Sequence, residues 1–260
     1  MMAEESVNKA LGVHMNDDLA NIQFKPVWNY NYSQWFQEVQ YNDKTLSDAE
    51  RRDFLAYLDQ TIEQHSEGIP LMREALENAK DLHDEYHELE REVVTIMFFV
   101  LITMTDSLVA SKYFLLADKD YDRRFMRGKL MVILNEGYKH LYGFVTKNKD
   151  KNNEPVWAKL QPLMRHFPEI VRNQYRELSI LLEDYSKSSW WKDERNYEVH
   201  LDVEKLYESR QEELIESKVM MDMMKLFNSL HAVNCFLENM HTCLYNFCVK
   251  KYLNGELVDQ

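Results

Sequence analysis

Between Pro168 and Gly255 the chain carries neither proline nor glycine. These are the two strongest helix breakers, proline because it lacks an N–H and crowds the preceding turn, glycine because it loses the most conformational freedom on ordering. So long a run without either predicts helix. The rest of the chain shares the bias, with six glycines and five prolines in 260 residues and no sustained alternation of β-branched residues. The predicted class is all-α, a bundle of long antiparallel helices, and the chain is long enough to bury a substantial core. One helix through the whole run would outrun a compact domain, so a break is expected inside it. Asp202 is a candidate cap, and Ser209 with Glu212 in "SRQE" has the spacing of a capping box, predicting a last helix over about 210–252.

Other helices follow from the same signals. "SDAE" at positions 47–50 is a capping box, and Phe54, Leu55, Leu58 and Ile62 follow at helical spacing, predicting a helix over about 48–65 that Gly68 and Pro70 end. Pro70 suits the first turn of a next helix that nothing interrupts before Asp118, a rod on the order of 70 Å if unbroken. Its first half, "ENAKDLHDEYHELERE", is charged and its second half apolar all round, so a solvated extension is expected to run into a core beginning near residue 90. The expected organisation is an N-terminal arm over 1–45, a helical extension over 46–89 and the bundle over 90–254. "VVTIMFFVLITMT" at 93–105 stops at Asp106, short of the roughly 20 residues a membrane helix needs, and is expected as a buried central helix without membrane contact. "DKDYD" predicts a turn; a helix over 123–145 follows, with Gly128, Gly137 and Gly143 allowing close approach of a neighbour. "TKNKDKNNEP" is a loop, and a helix over 157–185 has irregular first turns at Pro162 and Pro168.

The formal net charge of −13 opposes long-range attraction to a polyanion, so any nucleic-acid contact would need a local basic patch. Cys235, Cys243 and Cys248 are an odd count along a helical pattern, which fits a reducing compartment better than a disulfide framework. "MMAEESVNKALGVHMNDD" has neither a basic start nor an apolar h-region, and a cytoplasmic location is expected. The arm carries Phe24, Trp28, Tyr30, Tyr32, Trp35 and Phe36 among Asn, Asp and Gln without sustained period. Three uses are open to it: packing on its own domain, exchange across a dimer, or presenting aromatics for stacking on RNA.

Chemistry concentrates in "DERNYEVHLD" at 193–202. On a helix Asn196 and His200, four apart, share a face, and the long side chain of Arg195 can curl towards them. Arg, a polar residue, three more residues and then His resembles the signature of the HEPN superfamily, and the resemblance would cover about residues 90–252 on this one short motif. It implies a small α-helical bundle, in many members a metal-independent endoribonuclease of bacterial defence or toxin–antitoxin systems. It further implies that Arg195 binds and polarises the scissile phosphate, that His200 serves acid–base proton transfer as the ribose 2′-OH attacks, and that Asn196 orients them. Two copies would meet across a homodimer; RNA and an antitoxin or defence-system protein would be partners, with no metal or other cofactor. The residue types suit this: a guanidinium forks onto phosphate oxygens, and an imidazole reaches both protonation states near neutral pH. His200 is followed by Leu201 and Asp202, lacking the aromatic that one toxin branch has two residues on.

A second polar cluster, Asn135, Glu136 and Lys139 in "NEGYKHLYG", is a candidate support for that site. Asp106 is another, since a carboxylate buried in an apolar helix would need a partner such as Arg195 or Lys139. The structural alternative is a solvated Glu136–Lys139 pair and an Asp106 satisfied by a tyrosine. Metal-ligand patterns are incomplete: Glu238 with His241, Asp84 with His87, His83 with His87, and His231 with Cys235 each lack the further ligands a site needs. "VMMDMMKLF" at 219–227 reads as core or as a dimer seam. The competing function is a non-catalytic interaction or scaffold protein, in which Arg195 pairs with Glu194 or Glu198 and the backbone satisfies His200.

Overall fold

The computed structural model describes residues 46–78, 80, 85–142, 155–188 and 216–253. Among them are six α-helices and no strand: α1 (Asp48–Asn78), α2 (Glu85–Leu116), α3 (Asp120–Leu141), α4 (Val156–Leu163), α5 (Glu169–Ser188) and α6 (Glu216–Leu253), with a 3-10 turn, Met164–His166, after α4. The fold is an all-α bundle. The capping box forms at the start of α1, where the Ser47 backbone N–H donates to Glu50 Oε2 at 2.8 Å and the Glu50 N–H to Ser47 Oγ at 3.3 Å.

Two expectations need correction. α1 does not end near residue 65 but continues through Gly68 and Pro70 to Asn78, and the single rod expected from Pro70 to Asp118 is divided between α1 and α2. An internal proline costs a helix about 3 kcal/mol. Here Pro70 and Ser66, whose carbonyl loses its helical partner to the proline, are both exposed, so water can take that carbonyl while Phe54, Leu58 and, beyond the proline, Met72 hold α1 to the core. Phe54 and Leu58, within the segment read above as an extension, are thus buried in the same cluster as the central helices. The helix expected over 157–185 is split in two. Pro168 disfavours helical geometry at the preceding residue, and Phe167 is extended at φ −105° and ψ 155°.

α2 is the hub. α1 runs antiparallel to it, shown by Arg51 Nη1 donating to the Leu115 carbonyl at one end and by Gly68 lying against Leu101 towards the other. α3 returns antiparallel on another side, with Arg123 Nε on the Ala117 carbonyl at 2.7 Å and the Phe99 and His140 rings 6.1 Å apart. α6 crosses a third side, from Glu216 beside Arg51 and Arg123 to His241, whose Nε2 is 3.3 Å from Glu90 Oε1. α5 lies on α6, antiparallel to it: Asn239 Nδ2 donates to Gln174 Oε1 at 3.1 Å, Tyr175 lies 6.1 Å from Phe236, and towards the end of α5 Leu182 meets α3 through the Tyr138 hydroxyl. The methionine-rich start of α6 belongs to the core, with Met220, Met223 and Met224 all buried. The stretch His87–Leu116 is long and apolar enough to cross a membrane by length and composition, and 67% of its most apolar window is buried inside the bundle.

Candidate functional site

Arg195, Asn196 and His200 lie outside the described residues, as do the arm over 1–45, Asp202 and the second capping box. The described helices do fix both ends of the connection that carries the triplet. It leaves α5 at Ser188 and enters α6 at Glu216. Because α5 is antiparallel to α6, its last turns point towards the end of the bundle where α6 begins. One of them is held to α3, where the buried Tyr138 donates its hydroxyl to the Leu182 carbonyl.

That contact sets Asn135, Glu136 and Lys139 within a helical turn of the place where α5 meets α3. Asn135 is 4% exposed; its Nδ2 donates to Glu136 Oε1 at 3.3 Å, while its Oδ1 is buried with no hydrogen-bond partner among the described residues. An amide oxygen left so in a core forfeits the free energy of hydration without recovering it from a bond. Lys139 Nζ is 3.9 Å from Glu136 Oε2 and about half exposed, a loose surface pair. Next to them Gly137 permits the close approach of α2 and α3: a Cβ there would stand 2.3 Å from Thr103 Cγ2.

Among the described residues no hydrogen bond or ion pair joins Asp106 to this group. Asp106 is exposed on α2, and partial desolvation by its apolar neighbours lifts its carboxyl above the usual range. The cation at 139 pairs with Glu136 instead. The flanking sequence misleads at this point because an apolar helix need not be covered on every side.

Two further polar clusters form between helices. At mid-bundle His65 Nδ1 lies 3.1 Å from Thr105 Oγ1, its ring stacks on Phe227 at 6.3 Å, and desolvation followed by the charge of His231 holds its imidazole below the ordinary pKa. One turn along α6, His231 Nε2 is 3.6 Å from Cys235 Sγ. At the end of the bundle Glu216, 3% exposed, accepts from both Arg51 and Arg123. The contacts between helices, His65 with Thr105 and Arg51 with Glu216, join positions 40 or more apart in sequence, and no local spacing announces them; His231 with Cys235 is the pair the sequence offers at helical spacing. Of the metal-ligand patterns, Glu238 accepts from Asn234 Nδ2 at 2.8 Å while His241 turns to Glu90. Among the described residues no three His, Cys, Asp or Glu side chains are grouped to hold a metal ion. Burial pushes the Cys243 thiol up to about 12 and leaves it unreactive as a nucleophile.

No family model, no curated protein and no solved structure matches this chain.

Proposed function

We propose that this chain is a metal-independent endoribonuclease of the HEPN type, working as a homodimer in a bacterial defence or toxin–antitoxin system in the cytoplasm. In this reading Arg195 binds the scissile phosphate, His200 carries the proton of the attacking 2′-OH, and Asn196 orients them. One observation carries it beyond the motif itself. The connection bearing the triplet leaves α5 six residues beyond Leu182, whose carbonyl accepts from Tyr138 one turn along α3 from Asn135; Asn135 Oδ1 is a buried acceptor with no donor among the described residues, and an arginine or imidazole N–H is the kind of group that would satisfy it. Arg195 is seven residues beyond Ser188, so it stays within about 25 Å of that helix end even when fully extended. With a net charge of −13, phosphate binding has to come from such local cations and not from the field of the whole protein.

The test is incubation of purified protein with mixed structured and single-stranded RNA in EDTA, beside Arg195→Ala and His200→Ala variants that keep the wild-type helical signal. Cleavage leaving 2′,3′-cyclic phosphate ends, lost in both variants, is the expected result. Intact RNA, or cleavage by the variants at the wild-type rate, overturns the proposal. A second reading, a non-catalytic interaction protein, is favoured by a different observation: α2 leaves large apolar side chains such as Tyr113 and Leu116 about half exposed, a surface open to a covering segment or partner.

A further inference from the structure

α2 is apolar around its circumference, yet α1, α3 and α6 cover only part of it. Phe98, Ile102, Asp106, Val109, Tyr113 and Leu116, at steps of four, four, three, four and three, form one stripe along the helix. None of the six is fully buried; Tyr113 is 55% and Leu116 49% exposed. On one side of the stripe Leu101 and Thr105 meet α1, and on the other Phe99 and Thr103 meet α3. The stripe is therefore the floor of a groove between α1 and α3, on the side away from α6. From Phe98 to Leu116 it is about 27 Å long.

We propose that residues 24–36 of this same chain lie along the groove and cover it. The location of the chain's entry into α1 argues for this. Arg51, in the first turn of α1, bonds the carbonyl of Leu115, so the segment before α1 starts at the open end of the groove. Nine residues separate Phe36 from Leu46, ten steps that span up to about 33 Å, and residues 24–36 span between about 20 Å as helix and 43 Å extended, which brackets the floor. Phe24, Trp28, Tyr30, Tyr32, Trp35 and Phe36 bring the aromatic area an apolar floor calls for, and the Asn and Gln between them keep the other side wet. A second copy fits less well. Asp106 stands near the middle of the stripe, so two antiparallel stripes related by a two-fold axis would oppose their carboxylates. The inference requires no catalytic activity of the chain.

Backbone hydrogen exchange on the full chain tests it. Amides of 24–36 should exchange at least about tenfold more slowly than an unstructured chain, and Tyr113→Glu with Leu116→Glu, both at exposed positions, should abolish that protection while α6 keeps its own. Should those substitutions also loosen α6, Trp28→Ser with Trp35→Ser decides: radical footprinting of Tyr113 should then rise severalfold over wild type. Unprotected amides at 24–36 in the wild type, protection that survives both groove substitutions, or unchanged labelling of Tyr113 overturns the proposal. Protection that fades on dilution in step with loss of a dimer overturns it in favour of a second copy.

Discussion

Arg51 and Glu216, 165 positions apart in sequence, meet as a forked ion pair, with Arg51 Nη2 at 2.8 Å from each carboxylate oxygen. Arg123 Nη1 completes the group at 2.6 Å, and the two arginines also bond the Leu115 and Ala117 carbonyls. One buried carboxylate thereby ties together the start of α1, the end of α2 and the starts of α3 and α6. The burial is unequal, 3% exposure for Glu216 against 22% and 24% for the arginines, and that sets the outcome of removing each. Glu216→Gln strands two guanidiniums and should lower unfolding free energy by about 3 kcal/mol. Arg51→Met leaves Glu216 paired with Arg123 and should lower it by about half as much. Urea midpoints at constant slope measure both; equal losses would remove the asymmetry inferred from burial.

Two helical glycines should respond with opposite signs. Gly137→Ala places a methyl 2.3 Å from Thr103 Cγ2 in the tight contact of α2 and α3, and Thr103 is held by its own bond to the Phe99 carbonyl at 2.9 Å. Overpacking of about 1–3 kcal/mol should exceed the gain in helix propensity of about 1 kcal/mol. Thr103→Ser, which removes the offending methyl and keeps the hydroxyl, should restore most of the loss. Gly68→Ala meets only Leu101 Cδ2 at 3.7 Å, an ordinary contact, and should stabilise by about 0.5–1 kcal/mol. Thermal unfolding of the three variants distinguishes them, and a stabilised Gly137→Ala would show that the two helices separate easily.

Local signals in the sequence carried the helical class, the capping box at Ser47 and the turn before α3, because each depends on neighbours within about a turn. Pro70 misleads for the complementary reason. Its penalty is local, whereas the contacts that keep α1 intact, Leu58 and Met72 against the core, are tertiary. Part of the candidate site was legible in the same limited way. Asn135, Glu136 and Lys139 stood out as polar residues beside glycines, but the missing partner of Asn135 Oδ1 and the distance from Asp106 to the group depend on which helix packs where. The His65–Thr105 contact and the Arg51–Glu216 pair had no sequence signature at all, since single polar residues on separate helices are as consistent with a solvated surface as with a buried bond.

Acid should weaken the bundle through His65. Burial, and then the charge of His231, favour its neutral form in the fold, while in the unfolded chain it takes up a proton near its ordinary pKa of about 6.5. Between those two values the unfolded state binds more protons, so stability is full above about pH 6.5 and falls as pH drops through the lowered folded value. His65→Gln retains a side chain able to bond Thr105 and has no proton to gain. Denaturant unfolding at about pH 7.5 and pH 5 should show a smaller acid loss for the variant than for wild type. Equal losses would assign the acid sensitivity to other groups.

Asp106 should act in the opposite sense. Desolvation by the apolar stripe raises its carboxyl, so the ionised form is disfavoured in the fold relative to the unfolded chain. The favourable contribution of such a group is present only below its unfolded pKa, about 3.9, and is lost as pH rises through the higher folded value. At neutral pH the charge therefore opposes folding, although exposure to water keeps the effect small. Asp106→Asn should raise the urea midpoint slightly at pH 7 and leave it unchanged near pH 3, where the carboxyl is protonated in both states. A lower midpoint at pH 7 would mean that a cation reaches the carboxylate, and desolvation would then no longer be the dominant influence on that face of α2.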